Sequence, residues 1–440
     1  VCSPTTTAQI VVRSGNGTFV CPHGSSIRVN RLRGLLKPKI NASPPAKAWP
    51  SILAERRNAK MARSAHAYMR GNTVKFYEWL ETSSARALPE GPPIWICGDC
   101  HVGNLGPVAS LEGSVDIQIR DLDQTVIGNP AHDLIRLALS LATAARSSDL
   151  PGVTTARMIE EMVIGYRTAL AGRRSKAAAN VGAASVQRVM QEALRRRWKH
   201  LAEERIEDVR PTIPRGDKFW EASKAERSAI SELVGSEALR SLVTGLRGRD
   251  DDSGTELLDV AYWVKGCSSL GRLRYAVLVG VNHEKYKSGD ICFLDIKEAT
   301  TAAAPRIANA GMPRDNAQRV VEGARNLAPN LGERMLAARL MDRSVVVREL
   351  MPQDLKLEIE TLTPDEAVHA ARYLASVVGK AHARQMDRSL RQEWRKAFEQ
   401  SRSKTLDAPS WLWTSVVDLV AMHEGAYLEH CRRYSLPKAA

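Results

Sequence analysis

Apolar residues along this chain recur at two spacings, and the change from one to the other sorts it into blocks. From 51 to 81, in "SILAERRNAKMARSAHAYMRGNTVKFYEWLE", the spacing predicts mostly helix, with Gly71 as a break. Helical spacing returns in "DLIRLALSLATAA" (133–145), which Asp133 opens and Arg136 interrupts; it predicts a buried amphipathic helix. The same period runs on through 153–245, in "ARMIEEMVIGYRTALAG", "SVQRVMQEALRRRWKHLAEE" and "SKAERSAISELVGSEALRSLVTGL". Between the first two helical stretches the pattern differs. "LPEGPPIWICGDC" is a Pro/Gly turn running into a short buried strand, Ile94 to Cys97, followed by a loop over 98–106. In "SVDIQIRDLD" (114–123), Val115, Ile117 and Ile119 alternate with polar residues, the period of a half-buried strand. The turn "IGNP" (127–130) then leads into the helix.

The texture changes after "RGRDDDSGTE" (247–256), which reads as a polar linker. "LLDVAYWVKG", "LRYAVLVGV", "ICFLDIKEA" and "SVVVRELM" are β-like runs, and a helix over roughly 314–341 separates the third from the fourth. From Pro364 the helical period resumes and persists to the end. The blocks predict an α+β protein in four parts. These are an N-terminal extension (1–50) bounded by the prolines of "NASPPAKAWP", a helical lobe (51–250) carrying the strand–loop–strand, a small β-rich lobe (255–362), and C-terminal helices (363–440) that return to the large lobe. No internal repeat is visible.

Composition narrows the picture. At 440 residues and 44% hydrophobic, with aromatics at only 5%, the chain suits helices packed through aliphatic side chains. No run approaches the ~20 apolar residues of a membrane helix. The first twenty residues lack a basic segment followed by an apolar one, and so do not read as a signal peptide. Seven scattered cysteines, an odd number, fit a reducing cytoplasm better than a disulfide framework. The formal charge of +14 attracts anions. Its densest patch, "ALRRRWKHLAEERIEDVR" (193–210), is followed at once by acidic residues and reads as a solvated helix face. No zinc-finger, RNA-binding or helix-turn-helix signature points to nucleic acid.

The chemistry concentrates in "IWICGDCHVGNLG" (94–106). Its cysteines and His101 spell C-x-x-C-H, a haem-attachment or thiol-pair pattern. Its other polar residues suggest phosphoryl transfer, which needs a carboxylate to orient the attacking hydroxyl and hard oxygen ligands for metal ions on the phosphates. Asp99 and Asn104 across one glycine-rich loop, with Asp121 at the end of the next strand, supply that set. The bland alternative is that Asp99 and Asn104 cap the loop while Asp121 and Asp123 face water.

The combination "GDCHVGNLG … IQIRDLDQTVIGNPAHDLIRL" resembles the catalytic core of aminoglycoside-phosphotransferase-like and choline-kinase-like enzymes. More closely, residues 55–385 resemble a bacterial domain-of-unknown-function family assigned to the protein-kinase-like superfamily. The stretches that carry this match include "KMARSAHAYMRG", "GDCHVGN", "RDLDQ", "HDLIRL", "GCSSLGRLRYAVLV", "IKEA", "VVREL" and "AHAR". The resemblance implies a base role for Asp99 and metal ligation by Asn104 and Asp121, with Asp123 as a second carboxylate. Leu122 replaces the usual aromatic beside the metal-binding Asp. Cys97 and Cys100 then become filler.

Such an enzyme also needs a loop over the phosphates and a lysine on a strand. "VKGCSSLGRLRYAVLVGV" offers Gly266, Ser268, Ser269 and Gly271, and "ICFLDIKEA" ends on Lys297. Glu322 on the following helix is the expected acidic partner of Lys297, with Glu298 and Glu333 as rivals. Arg272 and Arg274 add charge near phosphate or face water. "SVVVRELMPQDLKLEI" supplies the remaining strands and a hinge, whose backbone amide and carbonyl groups would meet an adenine edge. Arg70 could bind acceptor or phosphate, or pair with a carboxylate such as Asp133, the structural pairing being favoured; His66 and His132 would be core or capping residues. The order of parts is inverted, since the catalytic loop precedes the lysine. A circular permutation accounts for it, with the helix 364–385, carrying His382 and Arg384, returned from the far end. The expected protein is an ATP- and Mg2+-dependent phosphotransferase of kinase-like fold, acting on a hydroxyl of an unknown small acceptor. Nucleotidyl (AMP) transfer at the same site, and a catalytically silent nucleotide-binding module, are the alternatives.

Overall fold

The computed structural model describes residues 43–82, 88–172, 191, 212–245, 249, 254–281, 291–307, 309–351, 363–400 and 407–434. The chain divides between Ala42 and Ser43, and the described residues all belong to the second part. Most of the extension 1–50, the basic stretch 193–210, the turn 282–290 and the segment 352–360 lie outside the described residues.

The opening block forms three helices, α1 (Trp49–Met61), α2 (Ala65–Gly71) and α3 (Thr73–Leu80). Side-chain caps set where they restart: Ser64 Oγ accepts from the Ala67 N–H, and Asn72 Oδ1 from the Lys75 N–H. Next come β1 (Ile94–Ile96), then β2 (Leu105–Ala109) paired antiparallel with β3 (Val115–Ile119), then β4 (Val126–Gly128), which returns to pair with β1. The loop expected to run to 106 therefore ends at Asn104, where β2 begins. Asn129 caps α4 (Pro130–Ser147) by accepting from the Ala131 N–H, and Pro130 occupies the first helical position, where no N–H is needed. α5 (Gly152–Leu170) follows.

The expectation of helix throughout 153–245 is corrected. β5 (Phe219–Glu221) lies inside that range, ahead of α6 (Lys224–Val234) and α7 (Glu237–Thr244). β5 is the edge of a six-stranded sheet that includes β6 (Thr255–Trp263), β7 (Arg274–Val281), β8 (Ile291–Glu298), β9 (Met335–Leu340) and β10 (Arg343–Glu349). The order is β5-β6-β7-β8-β10-β9, with every neighbouring pair antiparallel. The helix expected over 314–341 is shorter too. It comprises α8 (Asn316–Leu327) and the single turn α9 (Pro329–Gly332), after which "MLAARL" is β9. Pro329 cannot continue the hydrogen bonds of α8. Met341 and Asp342, at φ 47° and 60°, make the two-residue hairpin to β10, because a turn of that hand matches strand twist. The chain closes with α10 (Pro364–Ala383), α11 (Arg388–Phe398) and α12 (Ser410–Tyr434).

Two cores hold the elements that carry the site. One is helical and gathers α4, α5 and α10, among others. The other lies on the sheet face of Val260, Tyr275, Val277, Leu294 and Val347, covered by Ile230 and Val234 of α6, Leu239 and Val243 of α7 and Leu53 of α1. Residues 224–244 therefore pack on the sheet. The polar stretch 247–256 does not separate the cores, since it follows helices whose apolar stripe already belongs to the sheet. Among the described residues no helix is long and apolar enough to cross a membrane.

Candidate active site

The site begins with a buried carboxylate that serves the backbone. Asp133, in the first turn of α4, is fully buried. It accepts the backbone N–H of Cys97 (2.7 Å) and of Gly98 (2.9 Å), and its Oδ2 lies 3.2 Å from His382 Nε2 on α10. Tyr77 Oη donates to the Gly98 carbonyl at 2.6 Å. The turn leaving β1 is thereby fixed from three elements. Gly98 has φ 73°, and a Cβ there would stand 2.1 Å from the Gln124 carbonyl oxygen. Gly98→Ala is expected to destabilise the fold by more than about 1 kcal/mol. Gly113→Ala, at φ 85° with nothing within 4 Å, serves as the strain-only control, and the two urea midpoints give the comparison.

Held this way, Asp99 lines the cleft with its side chain 13% exposed. Arg136 Nε donates to Oδ1 and Thr73 Oγ1 to Oδ2, each at 2.8 Å. Burial pushes the Asp99 pKa up, and Arg136 and Thr73 offset only part of that. Asn104 Nδ2 donates to the Asp99 carbonyl at 2.9 Å, which leaves Oδ1 as the amide atom suited to a cation. The expected Arg70–Asp133 pair is not formed. Asp133 is used by backbone and His382, and the arginine in the loop's core is Arg136, the residue that interrupts the apolar face of α4.

Cys97 and Cys100 are fully buried in the helical core and unpaired, with His101 buried beside them. A mutual hydrogen bond and burial push the Cys97 thiol well up, and burial pushes the His101 pKa well down. Of the C-x-x-C-H letters the two cysteines pack the interior, while His101 lines the cleft, its Nε2 4.0 Å from Asp99 Oδ2.

From the other side comes Lys297, near the end of β8. Its Nζ is 3.5 Å from Asp121 Oδ1 and forms a closer ion pair with Asp123. Burial works against the ammonium, but the two carboxylates outweigh it and hold the lysine pKa above its usual range. Burial would raise the Asp121 pKa; Lys297 and Arg274 reverse this and hold it well below the carboxylate range. Burial and the neighbouring Asp121 push Asp123 up. Arg274 stands opposite Lys297 in the β7–β8 register. It is buried and makes two hydrogen bonds to Asp295, at 2.9 and 2.5 Å. Asp295 and Lys297 share a strand face at the two-residue period, a signal the sequence carried.

Asp99, Asn104, Asp121, Asp123, Gly266, Ser268, Ser269 and Lys297 thus line a single cleft of about 460 Å³. The expectations for Glu322 and Gly271 need correction. Glu322 does not reach Lys297: it is on the exposed side of α8, paired with Arg325 at 2.7 Å. Asp121 and Asp123 take its place. Of the rivals, Glu298 accepts from the Leu273 N–H and lies 3.6 Å from Arg343, and Glu333 is outside the cleft lining. From α8 it is Arg319 that turns inward, donating to the carbonyls of Thr125, Asp123 and Thr300. Gly271 has φ 94° and serves the turn, outside the lining. At the end of β10 the Glu349 and Leu350 N–H groups are bonded to the Arg334 and Phe293 carbonyls, and the rest of the expected hinge, from 352, lies outside the described residues.

Among the described residues no group of three or more His, Cys, Asp or Glu is arranged to hold a metal. The expected ligands Asn104, Asp121 and Asp123 line the cleft, with Asp99 and Asp295, and all of them offer oxygen. That chemistry suits a hard cation such as Mg2+ rather than a softer metal.

Fold and cleft together define an α+β protein with a six-stranded antiparallel sheet and a polar cleft where carboxylates, an amide and a lysine converge. Residues 51–433 match the family described as an uncharacterized protein conserved in bacteria (DUF2252), and the chain belongs to that family. No curated protein and no solved structure matches the chain.

Proposed function

We propose that this chain is an ATP- and Mg2+-dependent phosphotransferase of protein-kinase-like fold, moving the γ-phosphoryl group to a hydroxyl of a small acceptor. One observation carries the reading: Lys297 meets Asp121 across 176 positions of chain, in the cleft that also holds Asp99 and Asn104. Asp99 accepts a hydrogen bond from the acceptor hydroxyl and orients it. Arg136 and Thr73 hold that carboxylate in place. Lys297 binds phosphate oxygens, with the 266–269 backbone beside it. Asn104, Asp121 and Asp123 would hold Mg2+, which supplies charge neutralisation on the phosphates.

The order of elements favours the same reading. β6, the 266–271 loop, β7, β8 with its lysine, α8, β9 and β10 follow the order that the resemblance implies for a nucleotide-binding half. The catalytic loop comes before them, and α10 arrives from the far end to hold Asp133 through His382. This is the arrangement a circular permutation produces.

Purified protein is expected to transfer label from γ-labelled ATP, with Mg2+, to an acceptor in a metabolite extract, and Asp121→Ala to lose that transfer. Label moved from the α-position identifies nucleotidyl transfer by the same residues. Nucleotide binding with no transfer of either label identifies a silent binding module and defeats the proposal.

A further inference from the structure

The cleft is too positive for its donor alone. Its lining holds eight lysine and arginine side chains against four aspartates. His101 adds no charge, since burial pushes its pKa well below the usual value. A nucleoside triphosphate with one Mg2+ carries about two negative charges near neutral pH, and Arg136, outside the lining, neutralises Asp99, which leaves a surplus of about three positive charges.

That surplus has an address. Every aspartate of the cleft is matched: Asp99 by Arg136, Asp121 and Asp123 by Lys297, and Asp295 by Arg274. The opposite wall is different. The C-terminal end of α1 and the turn after it bring Lys60 and Arg63 to the cleft, and the last turn of α2 brings Arg70. Lys60 Nζ reaches across to the Gly266 carbonyl at 2.8 Å. Among the described residues, the side chains of Arg63 and Arg70 have no hydrogen-bond or ion-pair partner. Arg70 is also aimed. Its guanidinium lies against Gly103, where a Cβ would stand 2.7 Å from Nη2, and Gly103 sits between Asp99 and Asn104 in the catalytic loop. A side chain at 103 would push the guanidinium out of this position.

We infer that Lys60, Arg63 and Arg70 form an anion subsite beside Asp99 that binds the acceptor, so that the acceptor is a hydroxyl compound already bearing a phosphomonoester. This rests on the phosphotransferase reading. The charge fits in sign and scale: a phosphomonoester carries about −1.5 to −2 at pH 7 and takes up half or more of the surplus. The residue types fit as well, since an arginine fork engages phosphate oxygens in pairs while a lysine acts as a point charge.

The test is a pair of calorimetric titrations on the full chain. A non-hydrolysable ATP analogue with Mg2+ is titrated first, and inorganic phosphate second, into the analogue-saturated protein. Phosphate is expected to bind the loaded protein. Arg70→Met is expected to weaken phosphate by about tenfold or more while sparing the analogue. Lys297→Met is expected to weaken the analogue and spare phosphate. Circular dichroism and urea midpoints establish that both variants are folded, and an Arg63→Met variant provides a second, exposed probe of the same subsite. The inference is overturned if loaded protein binds no phosphate at millimolar concentration. It is equally overturned if Arg70→Met weakens analogue and phosphate alike, which would assign the arginine to the donor, or if neither arginine variant alters phosphate binding. Failure of the first titration would instead defeat the donor reading. The subsite would then be judged by phosphate binding to the nucleotide-free protein, with and without Arg70.

Discussion

Asp99→Asn is expected to abolish phosphoryl transfer while nucleotide binding survives. The substitution keeps the shape of the side chain but removes its charge, and it turns an amide nitrogen toward either Arg136 or Thr73, both now donors at 2.8 Å. Loss of a positioned base lowers kcat by about 10²–10⁴. On the proposed reading Asp99 acts on the acceptor hydroxyl, so the KM for nucleotide should hardly move. The pH profile carries a second signature. Burial holds the Asp99 pKa above its ordinary position, and in the proposed mechanism the working form is the carboxylate. Lowering the pH protonates it, so kcat/KM falls on the acid side through a pKa higher than the usual value of about 3.9. Removing Arg136 strips away a stabiliser of the carboxylate, so Arg136→Met should move that acid limb to still higher pH. An Asp99→Asn enzyme that turns over at the parent rate would remove Asp99 from the chemistry.

Asp133→Ala is expected to cost the folded state about 3 kcal/mol or more, read as a lower urea midpoint. The residue is fully buried and serves two backbone N–H groups and His382. Alanine leaves those donors in the core with no acceptor, and each unsatisfied group costs about 1–3 kcal/mol. Transfer should fall along with stability, since Cys97 and Gly98 place Asp99. A variant as stable as the parent would mean that the anchor carries no weight.

The loop of Asp99 and its companion strand were legible because their signals are local. Asp99 and Asn104 lie five positions apart in one turn, and Ile117 and Ile119 alternate as a strand must. Lys297 was legible for the same reason, at the end of an apolar alternation. Glu322 failed as its partner because helical spacing says which residues share a face, not which way that face points. On α8 the inward residue is Arg319, and Glu322 is on the exposed side. The helix expected through 341 failed because "MLAARL" has no strong period, and a ladder to β10 decided its conformation. β5 was hidden likewise: three residues become a strand only because β6 offers an open edge.

The sequence by itself determined where the chain turns, which segments carry an apolar face, and that hard oxygen donors cluster between residues 99 and 123. Those are properties of neighbours along the backbone, set by spacing, by glycine at positive φ and by capping side chains. Only the tertiary structure decided which distant faces meet. It brought Lys297 to Asp121, His382 to Asp133, and the basic corner of α1 and α2 to the loop of Asp99. Burial of the apolar faces is non-directional and roughly proportional to area, so it drives association without naming partners. The partners are chosen by packing shape and by the cost of leaving a buried charge unpaired, and neither can be evaluated one segment at a time.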